Sequence, residues 1–193
     1  LDDTMNMVSV DGDQSTNDTC ILLANGMAKG ADASEDPAFI EALRMVTTKI
    51  AKTIAMDGEG ASKLIEVQVN GAESKDAARK VIKTVINSPL VKSAIFGSDP
   101  NYGRIMMALG NSGQKFDLEN VHLIIKGGDM EVPILEGGAP VFQEERSVEV
   151  VRMAMDNKEV TIQLDLGVGT ASAVGWGCDL TYDYVRINAE YAP

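Results

Sequence analysis

A change from helical to strand periodicity between residues 37 and 69 constrains the fold most strongly. Asp36 followed by Pro37 is typical of a helix start, and the spacing predicts a helix over residues 37–56. The large apolar residues of this helix recur every three or four positions, at Phe39, Leu43, Val46, Ile50 and Ile54. Apolar and polar residues then alternate over residues 65–69, which predicts a strand with one wet face. A chain that mixes such segments predicts an α+β fold with layered sheets and helices.

The remaining patterns continue this mixture along the chain. Helical spacing predicts further helices over residues 75–88, 101–109 and 148–155. Apolar runs and period-two alternation predict strands over residues 5–10, 91–96, 121–126, 130–135 and 160–166. One or two closing strands are expected between residues 171 and 191, where alternation is strongest over 184–187. A second apolar run, residues 20–24, follows a polar loop and is also expected to be buried.

The chain is strongly acidic. Its 193 residues carry 17 Lys and Arg against 29 Asp and Glu, which gives a net charge of −12. This charge disfavours long-range attraction to nucleic acid and to anionic lipid, and the longest apolar stretches are strand-sized. We therefore predict a cytoplasmic protein with neither a nucleic-acid nor a membrane partner. The start, Leu1-Asp2-Asp3, lacks an initiator Met and favours a processed product or a trimmed fragment.

A single histidine and two cysteines limit the chemistry that this chain can perform. His122 lies beside Lys126 on the less apolar side of a predicted strand, where a solvated side chain is expected. Cys20 and Cys178 form no CxxC pair, so buried free thiols are predicted rather than a disulfide or a zinc site. A multi-histidine metal site cannot form within this chain, and no metal is predicted. Carboxylates, amines and hydroxyls are the expected acid–base groups of any active site.

Two acidic motifs are candidate sites, and each has a structural alternative. Asp11-Gly12-Asp13 follows an apolar segment and suits a phosphoaspartate nucleophile or a magnesium or calcium site. The favoured alternative is a polar loop, from Asp13 to Asp18, whose side chains bond to its own backbone. Glu59 lies between two glycines on a predicted loop, where its carboxylate is either solvated or in contact with a substrate ammonium group.

Arg104 lies in a further motif that combines a helix start with a cation. Asp99 and Pro100 predict the cap and the first residue of the helix over 101–109. Arg104 can grip a substrate carboxylate in a bidentate fork, or it can form an ion pair with a neighbouring Asp or Glu. Both interpretations of Arg104 stay open at this point.

Four sequence blocks occur in order along the chain, and together they resemble one enzyme family. The blocks are VDGDQSTNDT at residues 10–19, DGEGA at 57–61, NYGR at 101–104 and WGCDLTYDYV at 176–185. They resemble the bifunctional ornithine acetyltransferase family, also called the glutamate N-acetyltransferase family, and specifically its β chain. The resemblance covers nearly the whole sequence.

The resemblance implies a self-processing protein. A precursor of this family cleaves itself before a threonine into an α chain and a β chain, and the new N-terminal Thr is the nucleophile. The implied fold is an αββα layered sandwich of the N-terminal-nucleophile type, and the implied assembly is an α2β2 heterotetramer. Residues 1–193 are then a single β-chain subunit that lacks its first residues and is completed by a separate α chain.

The implied reaction is a ping-pong acetyl transfer in arginine biosynthesis. The Thr hydroxyl takes acetyl from N-acetylornithine and delivers it to glutamate, and the N-terminal amine acts as the base for its own hydroxyl. This mechanism needs no histidine. No tightly bound cofactor is implied, and acetyl-CoA stays open as a second acetyl donor.

The resemblance also carries two substrate contacts onto this sequence. The Glu of the DGEG block is Glu59, and the Asn near the C-terminus is Asn188. A carboxylate suits a cationic amine, and an amide can both donate and accept. The catalytic Thr is expected upstream of Leu1, because Thr4 lacks the family's sequence context, and the oxyanion-hole residues belong to the α chain. A terminal Thr or Ser contact of the family corresponds to Pro193, which has no hydroxyl.

Two alternatives to the acetyltransferase stay open from the sequence. A self-processing aminopeptidase shares the implied fold, because a fold does not fix the chemistry that it supports. A non-catalytic assembly subunit is the second alternative.

Overall fold

In the computed structural model of this protein, which describes residues 1–28, 30, 32–141 and 145–191, seven strands form one mixed sheet flanked by six α-helices. In chain order the strands are β1 (Val8–Ser9), β2 (Leu64–Ala72), β3 (His122–Gly127), β4 (Met130–Glu136), β5 (Ala139–Pro140), β6 (Glu159–Asp165) and β7 (Ala171–Cys178). The helices are α1 (Pro37–Met56), α2 (Lys75–Ile86), α3 (Pro89–Phe96), α4 (Tyr102–Asn111), α5 (Glu145–Met155) and α6 (Tyr182–Ala189). Within the described residues, no helix is long and apolar enough to cross a bilayer.

The sheet order places the first and last strands side by side. The strands lie in the order β1-β7-β2-β6-β3-β4-β5, with β1 parallel to β7 and β2 parallel to β6. Strand β7 runs antiparallel to β2, with Ile65 opposite Gly177 and Val67 opposite Gly175. The carboxyl ends of β1 and β7 therefore meet the start of β2 at one end of the sheet.

One face of the sheet carries the hydrophobic core. Ile65 and Val67 of β2 are fully buried on this face, which α2 covers. Gly175 and Gly177 of β7 let α2 approach closely, because a Cβ at either position would overlap an isoleucine of that helix. Helix α5 covers β3 and β4 farther along the same face. The buried residues of α2 are Ala77, Ala78, Val81, Ile82, Val85 and Ile86.

Among the described residues, helix α1 covers the opposite face of the sheet, and it does so only near β7. Trp176 lies there, 3% exposed, and its indole N–H donates to Glu66 Oε2 at 2.8 Å. Lys52 of α1 forms an ion pair with the same carboxylate at 2.6 Å. The buried residues of α1 are Ala51 and Ala55. Its predicted apolar stripe is exposed to between 42% and 55% at Phe39, Val46, Ile50 and Ile54.

Most of the predicted elements are confirmed. The structure contains the helix over 37–56, the strand around 65–69, the antiparallel pair β3–β4 and the strand that begins near 160. The segment over 5–10 is a 3-10 turn followed by the two-residue β1. The α+β class predicted from the alternating patterns is confirmed.

One closing strand between 171 and 191 is confirmed as β7, but the strands predicted over 91–96 and 184–187 are wrong, because both segments are helical. Residues 91–96 belong to α3, where the Ser88 hydroxyl accepts a hydrogen bond from an amide of the first turn. Residues 184–187 belong to α6, where the Thr181 hydroxyl does the same. Each cap satisfies an amide that would otherwise be unpaired, and this favours the helix over extended backbone.

The prediction that the apolar run over residues 20–24 is buried is also wrong. It pairs with no strand of the described sheet, and Ile21, Leu22 and Leu23 are between 60% and 91% exposed. Cys20, at its start, is exposed too, so only Cys178 is the buried thiol that was expected.

Helix α4 begins later than predicted. Asn101 is its N-cap residue and Tyr102 its first residue, so Asp99 and Pro100 precede the helix. The Asp99 amide donates to the Ala94 carbonyl at 2.8 Å, which assigns the Asp99 backbone to the end of α3.

Candidate functional site

Three loops from the sequence blocks meet at one end of the sheet. They follow β1, precede β2 and follow β7. Lys92 of α3 lies beside them and is 4% exposed, and its ammonium group donates to the carbonyls of Val10, at 2.7 Å, and Cys178. Burial lowers the pKa of this lysine. A single side chain thus joins the carboxyl ends of the parallel strands β1 and β7.

A buried carboxylate shapes the loop that carries the DGEG block. Asp179, which is 3% exposed, accepts hydrogen bonds from the amides of Ser62, at 2.8 Å, and Lys63, at 2.9 Å, and from the Ser62 hydroxyl. The Thr181 hydroxyl donates to the Gly60 carbonyl at 2.6 Å. Gly60 has a φ of +66°, and a Cβ there would overlap the backbone of α6. This position therefore requires glycine for both its conformation and its packing.

The two predicted substrate contacts, Glu59 and Asn188, lie next to each other. The Asn188 side-chain amide donates to Glu59 Oε2 at 2.8 Å, across a separation of 129 residues. It also donates to the Tyr184 carbonyl at 3.0 Å, one turn earlier in α6. Both side chains are exposed. The arrangement presents a carboxylate and an amide oxygen to solvent, which together suit a ligand with a cationic amine.

Tyr184 connects this pair to the loop that follows β1. Its hydroxyl donates to Asp11 Oδ2 at 3.1 Å, and Asp11 Oδ1 accepts from the Asp13 amide at 2.9 Å. The pKa of Tyr184 is raised by burial and by the nearby carboxylates of Asp11, Glu59 and Asp13. Tyr184 is therefore a protonated hydrogen-bond donor at neutral pH.

The structure favours the loop interpretation of the Asp11-Gly12-Asp13 motif. Asp11 accepts a hydrogen bond from the Asp13 amide of the same loop. The Ser15 hydroxyl likewise accepts from the amides of Asn17, at 3.4 Å, and Asp18, at 3.2 Å. In the part of the chain that the structure describes, no three His, Cys, Asp or Glu side chains are grouped to hold a metal ion.

The other candidates lie away from the Glu59–Asn188 pair. Arg104 forms an ion pair with Asp99 at 3.3 Å and donates to the Leu90 carbonyl at 3.2 Å, which supports the ion-pair interpretation. His122 is exposed at the start of β3, as predicted. Thr4 is 4% exposed and its hydroxyl donates to the Leu1 carbonyl at 3.4 Å. Pro193 lies outside the described residues.

Sequence reasoning missed the two buried lysines that organise this end of the sheet. Lys92 joins β1 to β7, and Lys63 donates to the carbonyls of Ile95, at 2.9 Å, and Met155, at 2.8 Å, near the ends of α3 and α5. Neither lysine belongs to a motif. Asp179 and Tyr184 are within the fourth block, which was the available signal for them.

Comparison with known proteins gives matches over the whole chain. The ArgJ family model matches residues 1–193. Glutamate N-acetyltransferase from Methanosarcina mazei is 48% identical over 194 residues, which cover 99% of this chain and 48% of that protein. Arginine biosynthesis bifunctional protein ArgJ from Caldanaerobacter subterraneus subsp. tengcongensis is 47% identical, over 97% of this chain and 47% of that protein. The chain spans about half the length of these curated relatives.

A crystal structure of arginine biosynthesis bifunctional protein ArgJ from Bacillus halodurans has a similar fold. The TM-score is 0.86 at 41% sequence identity, and the match covers 98% of this chain and 88% of that chain. This likeness confirms the α+β sandwich expected from the sequence. The full-length family match, the identity to these relatives and the shared fold establish that this chain belongs to the ArgJ family.

Proposed function

We propose that this chain is the β subunit of a glutamate N-acetyltransferase, which moves an acetyl group from N-acetylornithine to glutamate in arginine biosynthesis. The observation that carries the proposal is the Glu59–Asn188 pair, a carboxylate and an amide 2.8 Å apart beside the loops of three sequence blocks. The names of the relatives from Methanosarcina mazei and Caldanaerobacter support the same reaction.

Glu59 and Asn188 suit the donor substrate, which carries both an ammonium group and a carboxylate. In the described part of the chain, no Lys or Arg forms an ion pair with Glu59, so its charge is available to the substrate ammonium. The amide N–H of Asn188 is directed at Glu59. Its side-chain oxygen is left to accept a hydrogen bond from the substrate.

The proposed nucleophile is an N-terminal Thr that precedes Leu1 in the processed β chain. Its hydroxyl attacks the acetyl carbonyl of N-acetylornithine, its proton passes to the N-terminal amine, and ornithine leaves with that proton. The amine of glutamate then attacks the acyl-Thr ester and regenerates the hydroxyl. Thr4 is unsuited to this role, because it is buried and its hydroxyl is bonded to a backbone carbonyl.

The proposed partner is the α chain of the same precursor, in an α2β2 assembly. The curated relatives are about twice as long as this chain, whereas the match covers 88% of the chain in the Bacillus halodurans crystal structure. A precursor divided into two chains explains both lengths. The exposed apolar stripe of α1 and the half-exposed polar face of the sheet are surfaces that an α chain would cover, and that chain would supply the second β layer and the oxyanion hole.

The proposed reaction needs no tightly bound cofactor, because the acetyl group is carried by the Thr itself. Acetyl-CoA is a second proposed donor, since a thioester can acylate the same hydroxyl. We place the reaction in the cytoplasm.

Replacing Glu59 tests the proposed substrate contact in the assembled two-chain enzyme. Glu59→Gln is expected to raise the KM for N-acetylornithine about tenfold with little change in kcat, because a charge-assisted hydrogen bond to a bound substrate contributes about 1.5 kcal/mol. Glu136→Gln, an equally conservative change at an exposed position of β4, is the control. An unchanged KM in Glu59→Gln would contradict the assignment.

The processing step is tested by mass spectrometry of the native protein. A separate α chain and a β chain that begins with Thr are expected, and a single uncleaved, active polypeptide would exclude this mechanism. Parallel assays of acetyl transfer and of peptide-amide hydrolysis separate the acetyltransferase from an aminopeptidase.

A further inference from the structure

Asn188 is carried by a helix that has little hydrophobic anchorage. None of the residues of α6 is buried. The Thr181 hydroxyl, just before the helix, is bonded to the Gly60 carbonyl at 2.6 Å and fixes where the helix starts. The close packing of Gly60 and the ring contact between Tyr182 and Phe96 also lie in the first turn, so a further contact is needed to set the direction of a side chain near the end of the helix.

Tyr184 supplies this further contact. Its hydroxyl reaches Asp11 Oδ2 at 3.1 Å, while its own carbonyl accepts from the Asn188 side chain at 3.0 Å. Residues four apart on a helix lie on the same side, so the two contacts act on one side of α6. The position of Asn188 against Glu59 is thereby tied to the loop after β1.

Two hydrogen bonds hold the chain segment around Asp11 in place. The other carboxylate oxygen of Asp11 accepts from the Asp13 amide at 2.9 Å, and the preceding carbonyl, that of Val10, accepts from the buried Lys92 at 2.7 Å. The hydrogen-bonded path runs from the buried end of the sheet to the substrate pair.

We propose that Tyr184, held by Asp11, is a positioning residue that sets the distance between Asn188 and Glu59 and so determines the affinity for the donor substrate. The inference rests on the proposed function, since it takes Glu59 and Asn188 as the substrate contacts. Neither Tyr184 nor Asp11 is assigned a contact with the substrate. Burial and the nearby carboxylates of Asp11, Glu59 and Asp13 raise the pKa of Tyr184, so its hydroxyl stays a donor across the neutral range.

Tyr184→Phe in the assembled two-chain enzyme removes the hydroxyl and nothing else. The KM for N-acetylornithine is expected to rise about three- to tenfold, the range that one such hydrogen bond supports, with kcat within about twofold and an unchanged melting temperature. Tyr182→Phe is the matched control, because Tyr182 is 83% exposed in the same helix and its edge-on packing against Phe96 needs only the ring. This control is expected to leave the KM unchanged.

Asp11→Asn tests the anchor, because an amide has one oxygen for the two hydrogen bonds that Asp11 accepts. Its effect on KM is expected to resemble that of Tyr184→Phe, and the double variant is expected to be no worse than either single one. Additive effects would overturn the proposal, as would a fall in kcat that follows a lower melting temperature.

The Glu59→Gln and Asn188→Ala variants distinguish this inference from the proposed function. If both raise the KM and Tyr184→Phe does not, the positioning role is wrong and the substrate site stands. If neither raises the KM, the substrate site is wrong, and the positioning role is overturned with it.

Discussion

Helix α2 buries six apolar residues against the sheet, whereas the longer α1 buries only two alanines, Ala51 and Ala55. Both helices show apolar residues at helical spacing, and that spacing supports the prediction of each of them. The stripe of α2 faces β2 and β7, while the stripe of α1 faces solvent. Periodicity therefore predicts that a helix has an apolar side, and the partner of that side can lie outside the chain. For α1, the proposed partner is the α chain.

The largest expected difference between the two helices is in folding stability. Ile82 of α2 is fully buried, so Ile82→Ala should lower the free energy of unfolding by about 3 kcal/mol, through lost burial and a cavity. Ile50→Ala on the stripe of α1 should lower it by about 0.5 kcal/mol or less, because Ile50 is 45% exposed. Urea unfolding of this chain measures both values. Similar losses in the two variants would show that α1 is packed as α2 is.

Binding to the proposed α chain should depend on the apolar stripe of α1, although that stripe contributes little to the folding stability of this chain. Ile50→Ser is expected to weaken the two-chain complex about tenfold, since an exposed apolar side chain is the type that an interface buries. Met45→Ser is the control, because Met45 is 64% exposed on another side of α1. Sedimentation on dilution measures the dissociation. Equal weakening by both variants would remove the distinction between the stripe and the rest of the helix.

A smaller effect is expected where α1 meets the sheet through Glu66. Burial raises the pKa of this carboxyl, but hydrogen bonds from Lys52, Gln68 and Trp176 outweigh it and hold the pKa below its ordinary value of 4.5. The stabilisation is therefore fully present above pH 4.5 and is lost as the pH falls through the lowered pKa. The urea midpoint should fall less steeply in Glu66→Gln than in the unaltered chain as the pH decreases below 4.5. If the urea midpoints of Glu66→Gln and the unaltered chain fell equally with pH, Glu66 would not contribute in this way.

The predictable parts of the fold are those in which local pattern and local capping agree. Asp36 and Pro37 begin α1 at the predicted residue, and the strand around 65–69 has the predicted alternation, although its polar face is only partly exposed. A short apolar run predicts a strand over residues 91–96 and period-two alternation predicts one over 184–187, but patterns this short fit a helix as well. The capping residues that favour a helix in these two segments, Ser88 and Thr181, lie just before them.

The candidate site was predictable in its residues and not in its geometry. The resemblance to the family supplied Glu59 and Asn188, but their contact spans 129 residues and depends on the order of the strands at one end of the sheet. The spacing of residues along a sequence does not predict a contact between two residues that are so far apart in the chain. The buried Lys92 was missed because hydrogen bonds to backbone carbonyls leave no motif in a sequence.

The pairing of β1 with β7 also has a consequence for biosynthesis. Strand β1 has two residue pairs with β7 and leaves the ribosome more than a hundred residues before its neighbour. A pairing so short and so distant in sequence cannot form until nearly the whole chain has been synthesised. The loop that holds Asp11 and the helix that holds Asn188 can therefore meet only after nearly all of these residues have been synthesised, and a chain cut short before α6 would lack both Tyr184 and Asn188.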